Sequence, residues 1–383
     1  MDNDYDYSER CVVIDNGSKY IKACITYKED EKFSCLADLH NMNIFKSLVA
    51  YPKYKANLGA KQDECFIGDD AFHKSAIAKF NYPIKQGTVS NWDEVEKIWD
   101  YTFINKLRVD PCESKILISE PILNAKEERE KSAEIMFETF NVPSLYIANQ
   151  GVLSLYSTGR VIGVDLESGD GVTQIVPIYE GFYISHAVQR IDIGGKDLTD
   201  FMMRLLTEKG RRFSSSSEIE ITENIKEKCC YLPSIENENK SIETYIYELP
   251  DGTNINIRDE RVKCPLALFN PKLLNKEGLG IADACYHCVQ KCDIDLRKEL
   301  YYSVILTGGN TLFPGLRERF EEELKKLVPE SLRFDLKISA PEERKYSALI
   351  GGAILSLNLK QPDWISKEEY EEYGATVVHR KCF

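Results

Sequence analysis

The stretch Val12 to Lys22, VVIDNGSKYIK, decides the fold. Counting from Cys11, four apolar residues run into Asp15. A turn at Asn16 and Gly17, a hydroxyl at Ser18 and, seven residues after the acid, Lys22 follow. The pattern predicts a buried strand that ends at Asp15 and an alternating partner, YIKACITY, that returns as a hairpin. A hairpin with glycine at its tip presents backbone N–H groups with no side chain in the way, a donor set suited to phosphate oxygens. Ser18 would add a hydroxyl, Lys22 a point charge, and Asp15 a carboxylate able to hold a hydrated Mg²⁺.

The pattern returns twice. RVIGVDLESGDGVTQIVPIY (Arg160 to Tyr179) is again a strand, an acidic small-residue turn and a strand, with acid-x-Gly at Glu167 to Gly169. The match suggests two related halves, with Glu167 and Asp170 on the metal side of the second turn. ILTGGNTLFPGL (Ile305 to Leu316) is a third glycine turn after an apolar strand, in which Asn310 and Thr311 read as a helix cap. Each turn alone reads first as a tight β-turn with a solvated acid. Three at strand ends, two of them matched, bring a nucleoside-triphosphate clamp level with that reading. No G-x-x-x-x-G-K-[ST], G-x-G-x-x-G or G-x-S-x-G occurs, which sets aside P-loop, Rossmann and α/β-hydrolase sites.

Around these turns, NWDEVEKIWDYTFINKL (Asn91 to Leu107) and EEREKSAEIMFETF (Glu127 to Phe140) have helical periodicity. SKILISEP is a short buried strand, and LYIANQGVLSLYSTG a strand followed by a small-residue helix. Alternation of this kind predicts an α/β architecture. A length of 383 residues predicts two or more domains. A net charge of -13 argues against nucleic acid as the main partner. No apolar run is long enough for a membrane span, and MDNDYDYSER lacks the chemistry of a signal peptide. The 12 cysteines then read as reduced thiols, and Cys285, Cys288 and Cys292 as a buried helix stripe in preference to a metal site. His186 and His379 stand beside no nucleophile motif and read as ordinary histidines.

Taken in order, DNGS, NWDEVEKIW, IMFETFNVPSLYIANQGVLSLY, SGDGVT, VPIYEGF, DLTDFMMRLLTEKG, IKEKCCY, YELPDG, CPLALFNP, KCDIDLRKELY, PEERKYSALIGGAIL and VHRKCF resemble the actin family over nearly the whole chain. The resemblance implies the actin fold: two similar ribonuclease-H-like α/β domains around an ATP-binding cleft, each with a smaller subdomain. The implied subdomains are 1–45 with 83–157 and 347–383; 46–82; 158–193 with 277–346; and 194–276. The implied ligands are ATP or ADP with Mg²⁺ (or Ca²⁺). Gly17, Ser18, Lys19, Lys22, Gly169, Asp170, Gly171 and Val172 match the phosphate turns. Gly195, Lys226, Glu227, Gly308, Gly309, Asn310, Phe313 and Lys345 fall where actins hold the nucleoside. Asp15 and Glu167 match the acids that reach the cation through water. Gln150, Gln174 and Asp170 fall at the catalytic positions, with a helix near Gln150 as part of the hinge.

Departures from the family pattern bear on activity. Glu167 replaces an aspartate and lengthens the arm by one methylene. Gln174 replaces a histidine near the lytic water; glutamine orients water but cannot accept a proton at neutral pH. Lys19 replaces a glycine, which strains the turn if φ is positive there. Gln86 stands where actins carry a histidine. The nucleation loop has a charged tip, KANLGAKQ; the apolar plug becomes LLNKEGLG, with Asn275 and Lys276 at its centre; and YKEDEKFSCLADLHNM lengthens the loop after Lys22. The groove lined by Tyr156, Gly159, Ile350, Ile354 and Leu355 stays apolar enough for a partner helix, and Pro362 should end or kink its helix. Asp2, Asp4 and Asp6 keep an acidic N-terminus, read either as a docking segment for basic surfaces or as a solvated tail.

The expectation is an ATP-binding cytoplasmic, cytoskeletal protein that forms filaments or joins those of conventional actin, with at most a weak ATPase. The alternative is an actin-related protein that uses ATP as a structural ligand in an assembly or at a filament end. A sugar kinase or chaperone ATPase would share only the phosphate turns.

Overall fold

The computed structural model describes residues 10–27, 42–52, 65–73, 78–210, 216–237 and 241–382. The acidic N-terminus, most of the inserted loop after Lys22 and the nucleation-loop tip lie outside them. The chain forms two compact units, one made of the chain up to Val161 with the segment from Tyr346 onward, the other Ile162–Lys345.

In the first unit, VVI and its neighbours form the strand Cys11–Asn16, paired antiparallel with Tyr20–Thr26. Lys115–Glu120 lies parallel on its other side, followed by Ser144–Asn149. With Asn43–Lys46 and Ile365–Ser366 at the edges, these make a six-stranded sheet among the described residues. Both faces of the central strand are dry: Val12 and Ile14 join one apolar cluster, Cys11 and Val13 another. That explains an uninterrupted apolar run where a half-exposed strand would alternate.

The second unit repeats the connectivity. Gly163–Ser168 pairs antiparallel with Thr173–Tyr179 and parallel with Val304–Thr307, which in turn pairs with Ile338–Ser339. Here the two faces differ: Val164 and Leu166 enter the core, while Asp165 and Glu167 alternate onto the opposite face.

Helices form where predicted, with local corrections. Asn91 caps Trp92–Tyr101 by accepting from the Glu94 N–H. The pattern then widens into a π-helical turn, Thr102–Leu107, where the Thr102 hydroxyl bonds back to the Ile98 carbonyl. Asn310 and Thr311 cap no helix: they lie within the 3-10 turn Gly309–Leu312, and the next helix begins after Gly315. Pro362 does not end the groove helix, because Ser347–Asn358 has already given way to extended backbone at Leu359. Cys285, Cys288 and Cys292 are buried in the core of the second unit, and His287 is exposed. Among the described residues no helix is long and apolar enough to cross a membrane.

Candidate functional site

The first hairpin gathers a closed set of polar groups. A Cβ on Gly17 would lie 2.4 Å from the Tyr20 carbonyl oxygen, so the turn is as tight as its composition implied. Asp15 is buried behind it. Its Oδ2 accepts from Lys22 Nζ at 2.7 Å, and its Oδ1 accepts from Ser119 Oγ at 2.7 Å and Gln150 Nε2 at 3.0 Å. Burial pushes the carboxyl up, but the Lys22 charge and these three donors outweigh it and hold Asp15 below the ordinary carboxylate value. Gln150 opens the helix Gln150–Tyr156, capped by Asn149, and its amide nitrogen also reaches the Asn16 carbonyl. The amide is thereby oriented, with Oε1 as its acceptor. Ser18 Oγ accepts from the Gly87 N–H at 3.2 Å and keeps its own proton to donate. Lys19 is not among the residues with positive φ, so the lost glycine costs the backbone nothing; Gln86 is, at φ 51°.

Sequence reasoning missed Ser119, which donates to Asp15 and accepts from the Asn16 N–H. The one sign of it was a hydroxyl residue at the end of the apolar run KILIS.

In the second unit the turn at Gly169 closes through its N–H to the Val172 carbonyl, and Gly195 and Lys196 N–H groups bond to the Gly169 and Asp170 carbonyls. Asn310 Nδ2 donates to the Gly169 carbonyl at 2.7 Å and Ser168 Oγ at 3.1 Å, fastening the third glycine turn to the second. Gly308 has φ 82°, and a Cβ there would lie 2.4 Å from the Ser168 carbonyl oxygen. Two side chains assigned to the nucleoside have structural partners. Lys226 is buried, donating to the Gly195 carbonyl and Thr199 Oγ1, and Phe313 packs in the core. Glu227 and Gly309 are exposed, and Lys345 is half-buried.

Asp165 is the residue the motif reading passed over: an acid inside the apolar run VIGVDL. It is fully buried, and Thr307 Oγ1 donates to its Oδ1 at 2.7 Å. Burial and, next, the nearby Glu167 carboxylate raise its pKa well above the ordinary value. Gln174, opposite Glu167 in the register, is buried as well.

In the segment LLNKEGLG, Lys276 has partners within its own unit. Its ammonium bonds to Asp197 Oδ1 at 2.6 Å and the Asp192 carbonyl at 2.5 Å, and Asp197 Oδ2 accepts the Gly194 N–H beside the second turn. In the groove lining, Tyr156, Ile354 and Leu355 are half-buried, Ile350 is buried and Gly159 exposed. His186 bonds to the Lys291 carbonyl and His379 to Glu130, as ordinary histidines do.

The first turn, tight at Gly17 with Lys22 and Asp15 at one strand end, carries the residue types that phosphate oxygens and a hydrated cation call for, and the second unit has a matched hairpin of its own. A family model described as Actin matches residues 7–383. The chain belongs to the actin family.

Proposed function

We propose that this actin-like protein binds ATP with Mg²⁺ (or Ca²⁺) and forms or joins actin-type filaments in the cytoplasmic cytoskeleton. The observation that carries the reading is the first hairpin, where Asp15, Lys22, Ser119 and Gln150 are locked into one network behind the tight turn at Gly17. The cation, when bound, would neutralise phosphate charge. Asp15 and Glu167 would hold its water shell, and Gly17, Ser18, Lys22 and the 169–172 turn would offer donors to phosphate oxygens. Gln150, fixed through its nitrogen, would align the attacking water with Oε1. Gln174 would add a hydrogen bond but no proton transfer, which slows hydrolysis by roughly 10²-fold or more where a base is needed. The finer division into four subdomains belongs to this reading.

A second reading, a non-polymerising actin-related protein, draws on Lys276. The plug loop is tied to its own unit, and a charged side chain there disfavours burial against a neighbouring subunit.

High-speed sedimentation in Mg-ATP and salt, alone and with conventional actin, decides between the two. Pelleting alone supports self-assembly; pelleting only with actin supports co-assembly; remaining soluble in both supports the second reading. A thermal shift on adding Mg-ATP tests nucleotide binding itself, and its absence would remove the ATP part of the proposal.

A further inference from the structure

The polar face of the strand Gly163–Ser168 carries two enclosed atoms with opposite needs. Asp165 is 0% exposed; its Oδ1 is held by Thr307, and its Oδ2 reaches no protein partner. Gln174 is 4% exposed, and its Nε2 likewise reaches none. The register sets Glu167 opposite Gln174 and Asp165 opposite Val176, so Asp165 and Gln174 are diagonal neighbours on one face of an antiparallel pair. Diagonal neighbours stand about 7 Å apart, within reach of a bridge when both side chains are polar and extended. Buried polar atoms in native proteins are almost always paired, and where no protein group serves, an ordered water does.

We infer that one buried water joins Asp165 Oδ2 to Gln174 Nε2, and that Asp165 is thereby a positioning residue that sets which way the Gln174 amide faces. Water donates and accepts with equal ease, so the bridge forms whichever way Asp165 is ionised. With Nε2 tied back to the sheet, Oε1 becomes the atom that Gln174 offers to a reacting water. The second hairpin then orients its glutamine indirectly, as the first orients Gln150 directly. The catalytic consequence rests on the ATP reading above; the bridge itself does not.

Two measurements test it. The first is thermal unfolding, without nucleotide, of the unsubstituted protein, Asp165→Val, Gln174→Leu and the double variant. A shared water makes the second substitution nearly without effect once the first is present, a departure from additivity of about 2 °C or more. Additive shifts overturn the bridge. The second is single-turnover hydrolysis beside ATP affinity. Asp165→Val should leave affinity within about twofold while slowing hydrolysis about 10- to 100-fold, and Asp165→Asn, which can still bond both Thr307 and a water, should restore it. Equal loss of affinity and rate, or no rescue by Asn, overturns the positioning role. A protein that binds no ATP ends the proposed function, and the unfolding cycle still decides the bridge.

Discussion

The two hairpins share an acid-x-Gly turn, an antiparallel return strand and a parallel neighbour, yet they treat buried charge in opposite ways. In the first, Asp15 has a partner on each oxygen, and the position two residues before it is Val13, 1% exposed and apolar. In the second, the position two residues before Glu167 is Asp165, equally buried and half-partnered. Buried acids are tolerated for different reasons. Asp15 is compensated by a cation, whereas Asp165 is favoured in its neutral form by burial and a neighbouring carboxylate. The first hairpin gives its buried acid a cation; the second leaves Asp165 beside another carboxylate.

The sharpest way to break the contrast is Val13→Asp, which places the second hairpin's acid in the first. Ser119 stands where the second hairpin has Thr307, but its hydroxyl is committed to Asp15, so the new carboxyl should cost about 4 kcal/mol in urea unfolding. A cost under about 1 kcal/mol would mean that the two strands do not differ in what they accept. Next in size is Lys22→Met, which strands Asp15 without its cation. Stability should fall by about 3 kcal/mol, and adding Asp15→Asn should recover most of the loss.

The pH response follows from the same pair of acids. Asp15 sits below its unfolded value, so its stabilisation is complete above the ordinary carboxylate range near 4 and is lost as the pH falls through its folded value. Asp165 sits above its unfolded value, so its share is present in acid and lost as the pH rises. Urea midpoints from pH 3 to pH 8 should therefore lose their acid limb in Asp15→Asn and gain stability at the alkaline end in Asp165→Asn. Smallest is Lys276→Met. Its ion pair with Asp197 is about a third exposed, and losing it should cost under about 1 kcal/mol, shrinking further in 0.5 M salt. An unchanged melting temperature with increased pelleting would show that the lysine guards the plug without holding the fold.

Much of this was legible in the chain. The apolar run CVVI and its acid placed the first strand to within a residue, because a strand dry on both faces needs no alternation to be recognised. Asn91 announced its helix through a local hydrogen bond three residues away. Failures came where a side chain's role depends on distant partners. Asn310 looked like a cap, but its nitrogen is drawn to Gly169 and Ser168, 141 and 142 positions away in sequence. Spacing likewise could not show that the Lys226 ammonium serves the Gly195 carbonyl. Ser119 carried almost no signal, since a serine at a strand end is common.

The sequence by itself determined the family, the paired hairpins and the glycine turns, because these rest on periodicity and on backbone sterics within a few residues. Only the tertiary structure decided which charges are compensated. Whether Asp15 meets Ser119 and Gln150, or Asp165 meets Thr307 alone, depends on strands and a helix that arrive from 100 or more positions away, whereas Lys22 comes from the return strand of the same hairpin. Electrostatic energies in a low-dielectric interior are set by those few ångströms, and spacing along the chain does not encode them.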